Sequence, residues 1–155
     1  MKLKTAVLSL ALCFFGVAVC YAADNPHMGT WKLNEAKSKI GAGATKNSTV
    51  VYEAAGDSVK VTVDGTNADG TPAHNEWTGK FDGKDYPLTG DPNADARSYK
   101  QVNTHTNVLT NKKAGKVTMT ARIVVAADGK SRTVTGSGTD AAGKKIRSTA
   151  VYDKQ

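Results

Sequence analysis

In the stretch Thr71 to Gly79 (TPAHNEWTG), His74 and Glu76 are separated by one residue. In an extended chain, side chains two apart stand on the same face. His74 and Glu76 therefore share one side, and Trp77 takes the other. An imidazole beside a carboxylate is the simplest acid–base couple a protein can build. Such pairs more often serve as hydrogen-bonded structure, and that role is the one expected here. The other histidines, His27 and His105, are remote in sequence and show no metal-ligand spacing such as H-x-x-x-H. His27 is expected in a flexible lead-in.

Asp91, Asn93 and Asp95 alternate like the opening of a calcium loop. Ala96 then stands where that loop needs glycine, and Val102 where it needs a bidentate glutamate. A turn with Pro92 fixing φ is expected instead. The run Gly41 to Lys46 (GAGATK) lacks the G-K-[ST] ending of a phosphate loop, and no G-x-S-x-G is present. Asn47 to Thr49 matches a glycosylation sequon, which matters only in a host that modifies exported chains. No metal and no cofactor are expected.

The elements that must position these residues are short. From about residue 46 onward, Val- and Thr-rich runs alternate with Gly56, Asp64-Gly65, Asp69-Gly70, Asp82-Gly83, Ala114-Gly115, Asp128-Gly129 and Ala142-Gly143. Such pairs supply the positive φ of hairpin turns. Within the runs the period is two. Val59, Val61 and Val63 oppose Lys60, Thr62 and Asp64. Met119, Ala121, Ile123 and Val125 oppose Thr118, Thr120 and Arg122. Ile146, Ser148, Ala150 and Tyr152 oppose Arg147, Thr149 and Val151. This is the grammar of an antiparallel meander with one packed face, and the count is about nine or ten strands. Closure into a barrel removes the free edges such a meander would leave. The only helical signal is a turn or two at Asn34 to Lys39, with Asn34 as cap and Glu35 in the first turn. The segment Ile40 to Ser48 is expected as a loop.

The first residues carry a different pattern. Lys2 and Lys4 precede an apolar run from Ala6 to Val19, followed by Cys20-Tyr21-Ala22-Ala23. This is the layout of a secretory signal peptide cleaved after Ala22, which leaves residues 23–155 as one domain, periplasmic or secreted. The run is shorter than the ~20 residues a spanning helix needs, so no transmembrane span is expected. Lipid anchoring at Cys20 is disfavoured by Val19 before it. Both cysteines, Cys13 and Cys20, fall in this segment, so the exported chain is expected to fold without disulfides. Removing Lys2 and Lys4 takes the formal charge from +7 to +5. The lysines are scattered, not blocked, which argues against a nucleic-acid footprint.

Gly29-Thr30-Trp31 resembles the G-x-W signature that opens the first strand of lipocalins and fatty-acid-binding proteins, the calycin group. The longer start, GTWKLN-x-AKSK, is similar to that of small exported bacterial proteins of lipocalin-like type. The resemblance implies an up-and-down barrel in which Trp31 plugs one end and a late-strand arginine covers its ring. Arg147 is the first candidate and Arg132 the second. Two departures limit the transfer. Asn34 to Asn47 is too short for the helical pair of fatty-acid-binding proteins. Ala150 stands where those proteins keep an arginine for a carboxylate.

The expected role is non-covalent binding of a small, partly apolar molecule inside the barrel. Tyr52, His74, Trp77, Tyr99 and Met119 are the expected contacts. The alternatives are an envelope-associated interaction protein, using Lys-rich hairpin tips on anionic surfaces, and a small barrel enzyme built on His74 and Glu76. The sequence leaves the oligomeric state open.

Overall fold

The computed structural model describes residues 25–139 and 143–155; the signal segment and the small residues of its cleavage site lie outside them. Ten antiparallel strands close into one barrel. They are β1 (Gly29–Leu33), β2 (Lys46–Ala55), β3 (Ser58–Thr66), β4 (Pro72–Gly79) and β5 (Tyr86–Thr89), then β6 (Ala96–Asn103), β7 (Thr106–Lys113), β8 (Lys116–Val125), β9 (Ser131–Thr139) and β10 (Lys145–Lys154). Each pairs with its neighbour in sequence, and β10 returns to β1 through Trp31↔Lys154 and Leu33↔Tyr152. Neither sheet edge is left open. The end where β1 starts and β10 finishes is called the upper end below.

The period-two pattern decides which side chains enter. Val61 and Val63 on β3 are buried, and between them Thr62 turns outward. On β8 the inward row is Met119, Ala121, Ile123 and Val125, opposed on β9 by Gly138, Gly136, Val134 and Arg132. Val117 is 57 % exposed: a β-bulge shifts the register after Met119 and pairs Val117 with outward Lys112, off the inward row. Positive φ at Gly56, Gly83, Gly115 and Gly129 makes the hairpins.

Two local expectations change. Asp64-Gly65 is not a turn, and β3 runs through it to Thr66. A Cβ at Gly65 would fall 2.2 Å from the Lys46 carbonyl oxygen, so the glycine permits a close strand approach beside the β2 bulge at Asn47 to Thr49. Correspondingly, β2 begins at Lys46, inside the segment expected to be a loop. The helical signal is a single 3₁₀ turn, Glu35–Lys37. It is capped by Asn34, whose side chain accepts from the Lys37 N–H at 3.2 Å.

Candidate functional site

Trp31 is 0 % exposed and closes the upper end. Its indole Nε1 donates to the His27 carbonyl at 2.9 Å. His27 is therefore not in a loose lead-in. The Asn25 side chain accepts from the His27 N–H at 3.0 Å, Lys154 Nζ donates to the Pro26 carbonyl at 3.2 Å, and the His27 ring is fully buried. Backbone polar groups cannot be buried unpaired, and these bonds are what allow the segment to lie across the barrel mouth.

Two cations stand against the Trp31 ring: Lys154, with Nζ 5.2 Å from the ring centroid, and Arg132, with its guanidinium carbon at 4.7 Å. It also lies 5.0 Å from Tyr52 and 4.8 Å from Tyr152, so three aromatic faces surround it. Arg147 is exposed on the outer face of β10. Alternation accounts for the exchange. Arg147 has the parity of Thr149 and Val151, whereas Arg132 pairs with inward Tyr152.

Below this layer the aromatics meet one another. Trp77 and Tyr99 are 4.7 Å apart between centroids, Tyr52 and Tyr99 6.1 Å, and Phe81 stacks along Trp77 at 6.4 Å. Trp77 Nε1 donates to the Arg97 carbonyl at 2.8 Å. Burial holds the Tyr99 phenol far above its usual range and pushes Tyr152 up to about 12. Tyr52, Trp77 and Tyr99 are thus brought together, as the filling of the upper core. Met119 lies apart from them, half-buried near the lower end.

His74 cannot join them. It is on the outer face, and its ring nitrogen Nδ1 is 2.7 Å from Asp64 Oδ1 with both side chains more than half exposed. Glu76, on the same face, pairs instead with Lys60 at 2.7 Å. The hydrogen bond and charge of Lys60 hold the Glu76 carboxyl below its usual range. The two residues share a face as their spacing requires, but that face is the wet one; Asn75, Trp77 and Gly79 point in. His74→Ala should change the unfolding free energy by no more than about 0.5 kcal/mol in a denaturant titration.

Asp91 and Asn93 form the expected Asx turn, with Asp91 Oδ1 accepting from the Asn93 N–H at 2.8 Å. Asp95 accepts from the Ala114 N–H at 2.9 Å. Among the described residues no group of three or more His, Cys, Asp or Glu side chains is placed to hold a metal.

Four inward polar residues were not singled out by their sequence. Arg97 is buried on β6, where its Nε donates to Asn111 Oδ1 at 2.8 Å and its Nη1 to Asn75 Oδ1 at 3.2 Å. Asn107 is fully buried on β7. The available signal was alternation: Asn107 and Asn111 have the parity of buried Leu109, so they had to enter a face otherwise apolar.

Two concavities lie around β8 to β10. The smaller, about 270 Å³, is at the lower end and is lined in part by Met119, Ile146 and Gly138. The larger, about 510 Å³, is on the outer face. It follows a cross-strand row in which Val108 pairs with Arg122, Arg122 with Thr135, Thr135 with Thr149, and Thr149 with Lys39. Arg147 lies alongside.

No protein-family model matches the chain, and no curated protein matches it. Solved structures are similar to it. One is EF1p2_mFAP2b bound to DFHBI, with a TM-score of 0.51 at 11 % identity over 84 % of this chain and 94 % of that one. Another is a redesigned beta barrel, mFAP1, bound to DFHBI, with a TM-score of 0.44 at 14 % identity over 85 % and 98 %. At this identity the likeness to the first is one of fold: a closed antiparallel up-and-down barrel. Among the described residues no helix is long and apolar enough to cross a membrane.

Proposed function

We propose that the protein is an exported binding barrel that holds a small, partly apolar molecule in its lower half, without covalent chemistry. The observation that carries this reading is the asymmetry of the interior. The upper half is filled by aromatic rings, whereas the inward positions below them on β8 to β10 include Ala121, Gly136 and Ser148. Side chains this small leave room in a barrel of this size. Met119 and Ile146 line the concavity at that end and supply apolar contact. Arg97, buried and held by two neutral amides, supplies a polar anchor. Export rests on the signal-like first residues, Lys2 to Ala22. The fold-sharing chain that is bound to DFHBI is in keeping with a barrel of this type holding a small molecule.

Native mass spectrometry of the protein purified from its own host should show a bound small molecule that is lost on denaturation. Anilinonaphthalene sulfonate should bind saturably, and Met119→Trp, which fills the lower mouth, should weaken it by about tenfold. Protein that is empty from its own host and does not bind this dye saturably would remove the proposal.

The outer face favours a second reading, docking on an anionic surface. Lys39, Arg122 and Arg147 border the larger concavity, and no acidic side chain lines it. By contrast Lys46, Lys60, Lys80 and Lys112 are each paired with a carboxylate. Retention on phosphatidylglycerol vesicles at low salt, lost in the Arg122→Ser/Arg147→Ser double variant, is its expected result. No retention of the unaltered protein rejects it.

A further inference from the structure

The outer face of β8 to β10 combines a concavity with an unusual set of lining groups. The concavity holds about 510 Å³, within the roughly 300–1,000 Å³ range of ligand sites. Alternation places Thr120 and Arg122 of β8, Thr135 and Ser137 of β9, and Arg147 and Thr149 of β10 on this side. All are exposed except half-buried Thr149. Exposed Lys39 joins them through its backbone bridge to Thr149.

Short hydroxyl side chains form the floor and cations form the rim. Thr135 and Ser137 stand on the middle strand, where Thr135 pairs with Arg122 and Ser137 with Arg147. From Arg122 across β9 and β10 to Lys39 is three strand steps, about 14 Å. Arg147 is two residues from Thr149, about 7 Å along β10. Cations set out over such a span fit an anion whose charges are strung along a chain better than a point ion.

These groups are also uncommitted. Among the described residues no carboxylate lines the concavity, and no salt bridge engages Lys39, Arg122 or Arg147. Nor does a hydrogen bond within the described residues use the hydroxyls of Thr120, Thr135, Ser137 or Thr149. A hydroxyl offers one donor and two acceptor lone pairs. That capacity suits a partner that both donates and accepts, as sugar hydroxyls do, whereas a phosphate or a carboxylate only accepts. The rest of the lining disfavours other polyanions. No aromatic side chain is present, so nucleobases would have no stacking platform. Val108 is the one large aliphatic residue, in a recessed site, which leaves nothing to insert into a bilayer.

We propose that this trough binds a short stretch of an acidic polysaccharide. Arg122, Arg147 and Lys39 pair with its acid groups, and the hydroxyls of Thr135, Ser137 and Thr149 exchange hydrogen bonds with its sugar hydroxyls. The inference rests on the outer face docking anions, the second reading above, and gives that face its partner class.

The test titrates trigalacturonate and sulfated maltotriose into nitrogen-15-labelled protein at fixed low ionic strength, with maltotriose and triglutamate as controls. At least one acidic sugar should give saturable amide shifts confined to Lys39 and the outward rows of β8 to β10. The one that binds identifies the acid group. Maltotriose should not bind. Triglutamate carries the charge without ring hydroxyls and should bind about tenfold more weakly. Arg122→Ser/Arg147→Ser should weaken the acidic sugar by about tenfold or more. Lys84→Ser/Lys100→Ser, which removes two exposed cations elsewhere, should leave its affinity unchanged. Thr135→Val/Thr149→Val keeps charge and side-chain shape and should weaken it by about fivefold. The proposal is overturned by the absence of saturable shifts with both acidic sugars, or by maltotriose or triglutamate binding as tightly. Equal losses in the two charge variants, or unchanged affinity in the threonine variant, overturn it too. Retention on phosphatidylglycerol vesicles without acidic-sugar binding assigns the face to lipid, which overturns the proposal and leaves anion docking standing. Binding to neither removes both.

Discussion

Trp31→Ala should destabilise the barrel by about 3–5 kcal/mol, the range for removing a large buried aromatic side chain. Three losses act together. The indole's apolar surface is taken from a site that is 0 % exposed. Its Nε1–H no longer meets the His27 carbonyl, so the capping segment loses an anchor and leaves a buried acceptor. One of the three rings around the Arg132 guanidinium disappears, which opens a buried cation to partial hydration. Trp31→Phe separates these contributions. It keeps a ring under Arg132 and removes the indole donor, and it should cost about 1–2 kcal/mol. Guanidinium unfolding checks both variants. A cost below about 1 kcal/mol for the alanine change would mean that the indole is not the plug.

Acidification should weaken the protein before most carboxylates titrate. Burial, Arg132, His105 and Lys154 lower the His27 pKa from 6.5 to about 4. The unfolded chain therefore takes up a proton between these values and the folded one does not. The stability this contributes is fully present above about pH 6.5, is lost as the pH falls toward 4, and is constant below. At 1.36 kcal/mol per unit, the loss from pH 7 to pH 5 is about 2 kcal/mol, and it approaches about 3 kcal/mol near pH 4. Denaturant titrations at pH 7 and pH 5 should show this loss. His27→Leu should flatten it. Equal slopes in the two proteins would place the acid sensitivity elsewhere. Asp57, Asp69 and Asp82 are held below the usual carboxylate range by local hydrogen bonds, so their contributions fall at lower pH.

The contacts expected from sequence fall in two environments. His74 and Trp77 are three residues apart in one strand, so period-two geometry sends them to opposite faces. Only one can touch a molecule inside the barrel. The same rule applied to β7 brings Asn107 and Asn111 in, and applied to β10 sends Arg147 out. Alternation was therefore sufficient for several of these placements. For Arg132, a charged residue on the inward row of β9, burial became tolerable only because Trp31, Tyr52 and Tyr152 converge on it from three other strands.

The sequence by itself determined the class of fold. Alternating valines and threonines, with a turn residue after each run, admit few structures other than an antiparallel meander, because side-chain period and turn chemistry are local properties of the chain. It also located the Asn34 cap, the Asp91 turn and the indole that begins β1. Tertiary structure alone decided that three rings converge on Arg132, that His27 is sealed inside, and that the outer row from Val108 to Lys39 joins four strands and a loop. Each of these depends on contacts between residues distant in sequence, such as Lys154 with Pro26 or Lys39 with Thr149, and is fixed only when the barrel closes.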